Sequence, residues 1–98
     1  MSVNGGWFIR NVLAIWMEAY IDISRWWPKT NDGSHLSVYA VHRQFEGTPN
    51  EVTRHTLTVA RDGKLKKADI DNLVKLARIC SELSGELVTI NDIVKIQE

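Results

Sequence analysis

Ninety-eight residues can bury one hydrophobic core but not two, so the chain is read as a single domain over residues 1–98. Twelve lysines and arginines balance twelve aspartates and glutamates, which removes any global field that would steer the chain to nucleic acid or to an anionic membrane. The lone Cys80 excludes an intramolecular disulfide, and with nothing resembling a secretory signal the expected setting is the reducing cytoplasm.

In chain order, residues 1–6 read as a mobile leader, since Gly5 and Gly6 have no side chain to dock. Residues 7–27 carry all four tryptophans and read as one amphipathic helix. At 100° per residue Phe8, Val12, Ile15, Trp16, Ala19, Ile23 and Trp26 form a stripe, widened by Ile9, Leu13, Tyr20 and Trp27. Arg10, Glu18 and Asp22 interrupt it, leaving an apolar run well short of the ~20 residues of a membrane span. Pro28 ends the helix, and residues 29–34, KTNDGS, form a turn-rich connector.

From His35 the period changes to alternation. Leu36, Val38 and Ala40 point one way over residues 35–45, and Leu57 and Val59 do the same over residues 51–60. Between them EGTPN reads as a hairpin loop, which predicts an antiparallel pair with Phe45 opposite Val52, Val38 opposite Val59 and Ala40 opposite Leu57. Asp62-Gly63 is another turn, followed by a brief strand over residues 64–66 or by the next helix directly. That second helix is expected over residues 68–84, with Asp69 or Asp71 at its positive end and Gly85 as its stop. The tail ELVTINDIVKIQE is rich in β-branched residues and reads as a strand bent at Asn91-Asp92, with a short helix after Thr89 as the competing reading. The order helix, strand, strand, helix, strand predicts an α+β fold with helices on one face of a sheet of three or four strands.

Three constellations bear on function. The hairpin register sets His42 opposite His55, a pair that could ligate a metal if further ligands converged, although no third ligand is evident. The same register sets Arg43 opposite Arg54, with Arg61, Lys64, Lys66 and Lys67 close behind and Tyr39 on the same face. In outline this is a sheet surface able to stack bases and neutralise phosphates, but it lacks the paired aromatics and glycine-containing consensus of an RRM. Cys80 falls in the apolar phase of the second helix, where a thiol is inert, and no catalytic or cofactor motif is present.

The tryptophans point elsewhere. Each can bury about 150 to 250 Å2, so together they offer on the order of 800 Å2, one partner's share of a standard interface. The expectation is a non-catalytic binding protein that needs no cofactor and acts by protein-protein contact, as a homodimer through this Trp-rich helix or, failing that, with another protein. The contact residues would be Trp7, Trp16, Tyr20, Trp26 and Trp27. The alternatives are a nucleic-acid-binding protein using the basic hairpin face and, after it, a small metal-dependent enzyme.

Overall fold

The structure, a computed structural model, describes residues 18–97. Strand β1 spans Glu18–Ile21 and a 3-10 turn spans Ser24–Trp26. Four helices follow: α1 at Val38–Phe45, α2 at Arg54–Arg61, α3 at Ile70–Ser84 and α4 at Ile90–Ile93. Strand β2 closes the order at Val94–Gln97. The mixed α+β character agrees with the sequence reading. Its distribution along the chain does not.

The expected helix over residues 7–27 falls largely on residues 1–17, outside the described ones, as does the leader. Its C-terminal part is a strand and a 3-10 turn. Here a two-residue period prevails, with Ile21 and Ile23 buried on either side of the less buried Asp22. Asp22 Oδ1 then accepts the Ser24 N–H at 2.9 Å and starts the turn.

The expected hairpin is absent: residues 38–45 and 54–61 are helices. Their N-termini explain why. The Ser37 hydroxyl accepts the Ala40 N–H, and the Thr53 hydroxyl accepts the Thr56 N–H, each at 3.1 Å, and both capping residues are in the extended region that a helix start requires. Val41 and Phe45, four apart, and Leu57 and Ala60, three apart, are the buried positions, which is helical spacing. The EGTPN segment belongs to the connector between α1 and α2, where Gly47 takes φ +80°.

The long helix agrees with expectation to within two residues. Asp69 caps it through the Asn72 N–H at 2.7 Å, and Gly85 ends it in the left-handed region at φ +76°. The tail combines both readings made for it. Asp92 Oδ2 accepts the Thr89 N–H at 2.8 Å and the Thr89 hydroxyl at 3.0 Å to start α4, and β2 follows at once.

Among the described residues the sheet has two strands, not three or four. β1 and β2 run antiparallel, with Glu18 opposite Gln97 and Ile21 opposite Val94. The Ile21 N–H also donates to Leu65 O at 2.8 Å, so the brief strand expected at residues 64–66 is reduced to a single bridge. The Asp22 N–H donates to Ile93 O and the Ile23 N–H to Ala60 O, at 3.0 and 3.1 Å. Through these bonds residues 21–23 join the ends of α2 and α4 and the loop before α3. The core lies mainly between helices rather than on a sheet, with Ile23, Val41, Leu57, Leu76, Ile79, Cys80 and Ile93 almost fully enclosed.

Candidate functional site

The two short helices form one unit. α1 and α2 pack against each other, with Val41 and Phe45 from the first and Leu57 and Ala60 from the second in the common core. Residues 46–53 join them. This connector is held by the Thr48 N–H and hydroxyl donating to Phe45 O, at 3.0 and 2.6 Å, and by the Glu51 N–H donating to Thr48 O at 3.1 Å. Val52, 5 % exposed, anchors its far end in the core.

α2 gives little of itself to that core. Leu57 and Ala60 are its buried residues, Arg54 and His55 are exposed, and Thr58 lies one turn further along the same outer face. The Thr58 hydroxyl donates to Arg54 O at 2.9 Å, inside the helix. At the N-terminal end of α2, a cavity of about 390 Å3 is lined by His42, Glu51, Val52, Thr53, Arg54, Thr56 and Asn72. At the other end the Lys64 N–H donates to Val59 O at 2.9 Å, which fixes the exposed Lys64 where the helix stops, and the exposed Lys67 follows.

The basic residues singled out from the sequence therefore do not share a sheet. Arg54, Lys64 and Lys67 are exposed on α2 and in the loop after it. Arg61 is turned to structural use, its guanidinium 5.5 Å from the Trp27 ring centroid and 3.2 Å from Asp62 Oδ1. Lys66 pairs with Glu18 at 2.9 Å. Arg43 and Tyr39 are one turn apart on α1, where Arg43 Nη1 donates to the Tyr39 hydroxyl at 3.0 Å and stacks over its ring. Arg43 and Arg54 belong to different helices, so the cross-strand pairing inferred from the hairpin is gone.

The histidine pair dissolves as well. His42 lies between two carboxylates, with Nδ1 3.6 Å from Glu46 and Nε2 3.6 Å from Glu51, while His55 is on the exposed face of α2. Among the described residues no group of three or more His, Cys, Asp or Glu side chains is placed to hold a metal. Cys80 is fully enclosed, and burial pushes its thiol up to about 12, so the nucleophilic thiolate is suppressed at neutral pH.

Of the tryptophan-rich segment, Trp7 and Trp16 lie outside the described residues. Trp26 and Trp27 are 8 % and 3 % exposed and belong to the chain's own core. Trp27 Nε1 donates to Leu36 O at 2.6 Å. Tyr20 is half-buried on β1 and lines a shallow cleft of about 150 Å3 with Leu65, Leu73 and Val94. No helix among the described residues is long and apolar enough to cross a membrane.

The residues missed by sequence reasoning are His55 as a solvent-facing helical side chain, and Thr53 as the cap that sets the start of α2. The signal for both was present as a threonine with a threonine three places on, just before a helically spaced Leu57 and Ala60. Compared with known proteins, the chain matches no family model, no curated protein and no solved structure.

Proposed function

We propose that this chain is a DNA-binding domain of the helix-turn-helix kind, in which α2 enters the major groove. One observation carries the reading: a two-helix unit whose second helix commits only Leu57 and Ala60 to the core and turns Arg54 and His55 outward at its N-terminal end. In such motifs the first helix crosses the backbone, and the N-terminal residues of the second contact base edges. The connector of residues 46–53 is longer than the three- or four-residue turn of the minimal motif. It is nonetheless internally hydrogen-bonded and anchored by Val52, so α2 is held at a fixed place.

The even charge balance of the whole chain does not oppose this reading, because recognition depends on the face presented rather than on the sum. Arg54 has the fork geometry that pairs with guanine O6 and N7. Lys64 and Lys67 flank the far end of the helix, where phosphates would lie. Self-association through the tryptophans has less support, since Trp26 and Trp27 are spent on the core. A dimer would nevertheless suit the DNA reading by placing two α2 helices in successive major grooves.

Selection from a random-sequence duplex pool tests the proposal. A short consensus should emerge, and Arg54→Ala should weaken binding to it by about 1–3 kcal/mol while relaxing preference at one base pair. A folded chain that enriches no sequence and shifts no duplex at low salt would sink the reading.

A further inference from the structure

The ribbon of β1 and β2 is only half supported by the core. In its inner pair Ile21 faces Val94, and both pack into the buried cluster. Two residues further out, Ala19 faces Ile96. Side chains two apart on a strand share a face, so these four apolar residues stand on the same side of the ribbon. The outer two are nonetheless exposed, Ile96 by 63 %. A two-stranded ribbon is marginal in water unless something packs on its apolar face, and among the described residues the core reaches only the inner half.

Beside that face lies the cleft of about 150 Å3, which joins Ala19 and Val94 of the ribbon to Leu65, Ala68 and Leu73 around the start of α3. Leu65, Ala68, Leu73 and Val94 are partly buried, packing on the core while still lining the cleft. Ile70, three residues before Leu73 on the same flank of α3, is 76 % exposed and prolongs the apolar surface. An apolar space on the order of 150 Å3 is large enough to take in one aromatic ring.

The occupant follows from where the chain enters. Glu18 is the first described residue, and its carboxylate is held at 2.9 Å by Nζ of Lys66, which lines the cleft. Residues 7–17 therefore join the molecule at the rim of this cleft. All of them except Arg10 and Asn11 are apolar, and they include the indoles Trp7 and Trp16. As a helix they would span about 16 Å, against about 13 Å for a four-residue strand, so they are long enough to lie along the whole ribbon. A segment of that composition is driven out of water. Its tether to Glu18 also keeps it beside the cleft at an effective concentration of roughly millimolar, which favours it over the same segment of a second copy.

We propose that residues 7–17 fold back over the ribbon and the cleft of their own chain, with an indole ring in the cleft, Ile70 and Ile96 beneath the segment, and Arg10 left toward solvent. Nothing in this cover depends on α2 or on DNA.

A nitroxide attached at Arg10→Cys in the full-length chain tests the cover. Cys80 is fully enclosed, so the reagent finds only the introduced thiol. Relative to the reduced label, the methyl signals of Leu65, Leu73 and Ile96 should lose most of their intensity. Leu87, past the far end of α3, which is roughly 22 Å long, should keep its own. Ile96→Glu, at a site exposed enough to leave the fold intact, should restore much of the Leu73 signal. When chains carrying only the nitroxide are mixed with chains carrying only the methyl label, all these signals should stay sharp. Broadening in the mixture would give the cleft to the segment of a second copy and overturn the intramolecular cover. Signals of Leu65, Leu73 and Ile96 no more affected than those of Leu87 would overturn it outright. The unmodified chain guards against an effect of the label: NOEs from the indole protons of Trp7 or Trp16 to the Leu73 and Val94 methyls should be present, and their absence would be equally fatal.

Discussion

Trp27 shows how one side chain can be withdrawn from a surface role. Its ring is 3 % exposed, its N–H donates to Leu36 O across nine residues at 2.6 Å, and Arg61 lies over its face. The bond to Leu36 closes the 28–36 loop, in which the Leu36 N–H donates to Pro28 O and Lys29 bridges His35. Within that loop Asp32 accepts the Thr30 hydroxyl and, after it, the Ser34 N–H, contacts that bring its carboxyl down to about 2. Replacing Trp27 by Phe keeps most of the apolar volume and removes the donor, leaving the Leu36 carbonyl short of a partner. The expected loss is about 2 kcal/mol, seen as a lower urea midpoint with an unchanged slope. A change under about 0.5 kcal/mol would mean that water satisfies the Leu36 carbonyl.

The helices α1 and α2 depend on their first residues more than on their interiors. Eight residues are fewer than an isolated helix needs, so capping and tertiary packing must supply the difference. Ser37→Ala and Thr53→Ala should each cost about 1 kcal/mol in thermal or urea unfolding. Thr53→Ala should also reduce DNA affinity, because it frays the end of α2 that carries Arg54, whereas Ser37→Ala should leave affinity nearly unchanged. Equal effects of the two on affinity would count against α2 as the reading helix. The same caps mark where the sequence was misleading. Val, Thr, Tyr and Phe over residues 36–59 have high strand propensity, and Leu36, Val38 and Ala40 satisfy alternation as well as Val41 and Phe45 satisfy helical spacing. Short segments allow both periods, and the deciding contacts are hydroxyl-to-amide bonds that a hydropathy pattern does not contain. α3 was legible because fifteen residues repeat its period several times and Asp69 and Gly85 bracket it. The β1 segment was hidden because its partner, β2, lies more than seventy residues away. Arg54, Lys64 and Lys67 were legible as a basic cluster, but their common setting required α2 to exist.

For the molecule as a whole, zero net charge becomes a quantitative constraint on how it could hold DNA. A strongly basic domain gains most of its affinity from phosphates, whereas among the described residues few free cations stand beside α2. Arg61 is bound to Trp27 and Asp62, and Lys66 to Glu18, so on the proposed DNA reading Lys64 and Lys67 would serve the backbone and Arg54 a base. Two neutralised phosphates give a slope of about −1.8 in log K against log salt, so affinity for any duplex should fall only roughly tenfold between 50 and 200 mM salt. Sequence preference must then come from α2 rather than from the field around the chain. Three variants separate these contributions, provided circular dichroism melting shows each one folded. Lys64→Gln and Lys67→Gln should each flatten the slope by about 0.9 and weaken selected and random duplexes alike. Arg54→Ala should leave the slope near its starting value and narrow the gap between selected and random duplexes. If instead Arg54→Ala weakens all duplexes equally and flattens the slope, Arg54 contacts a phosphate, and the base-reading role would pass to His55 and Thr58 on the same face of α2.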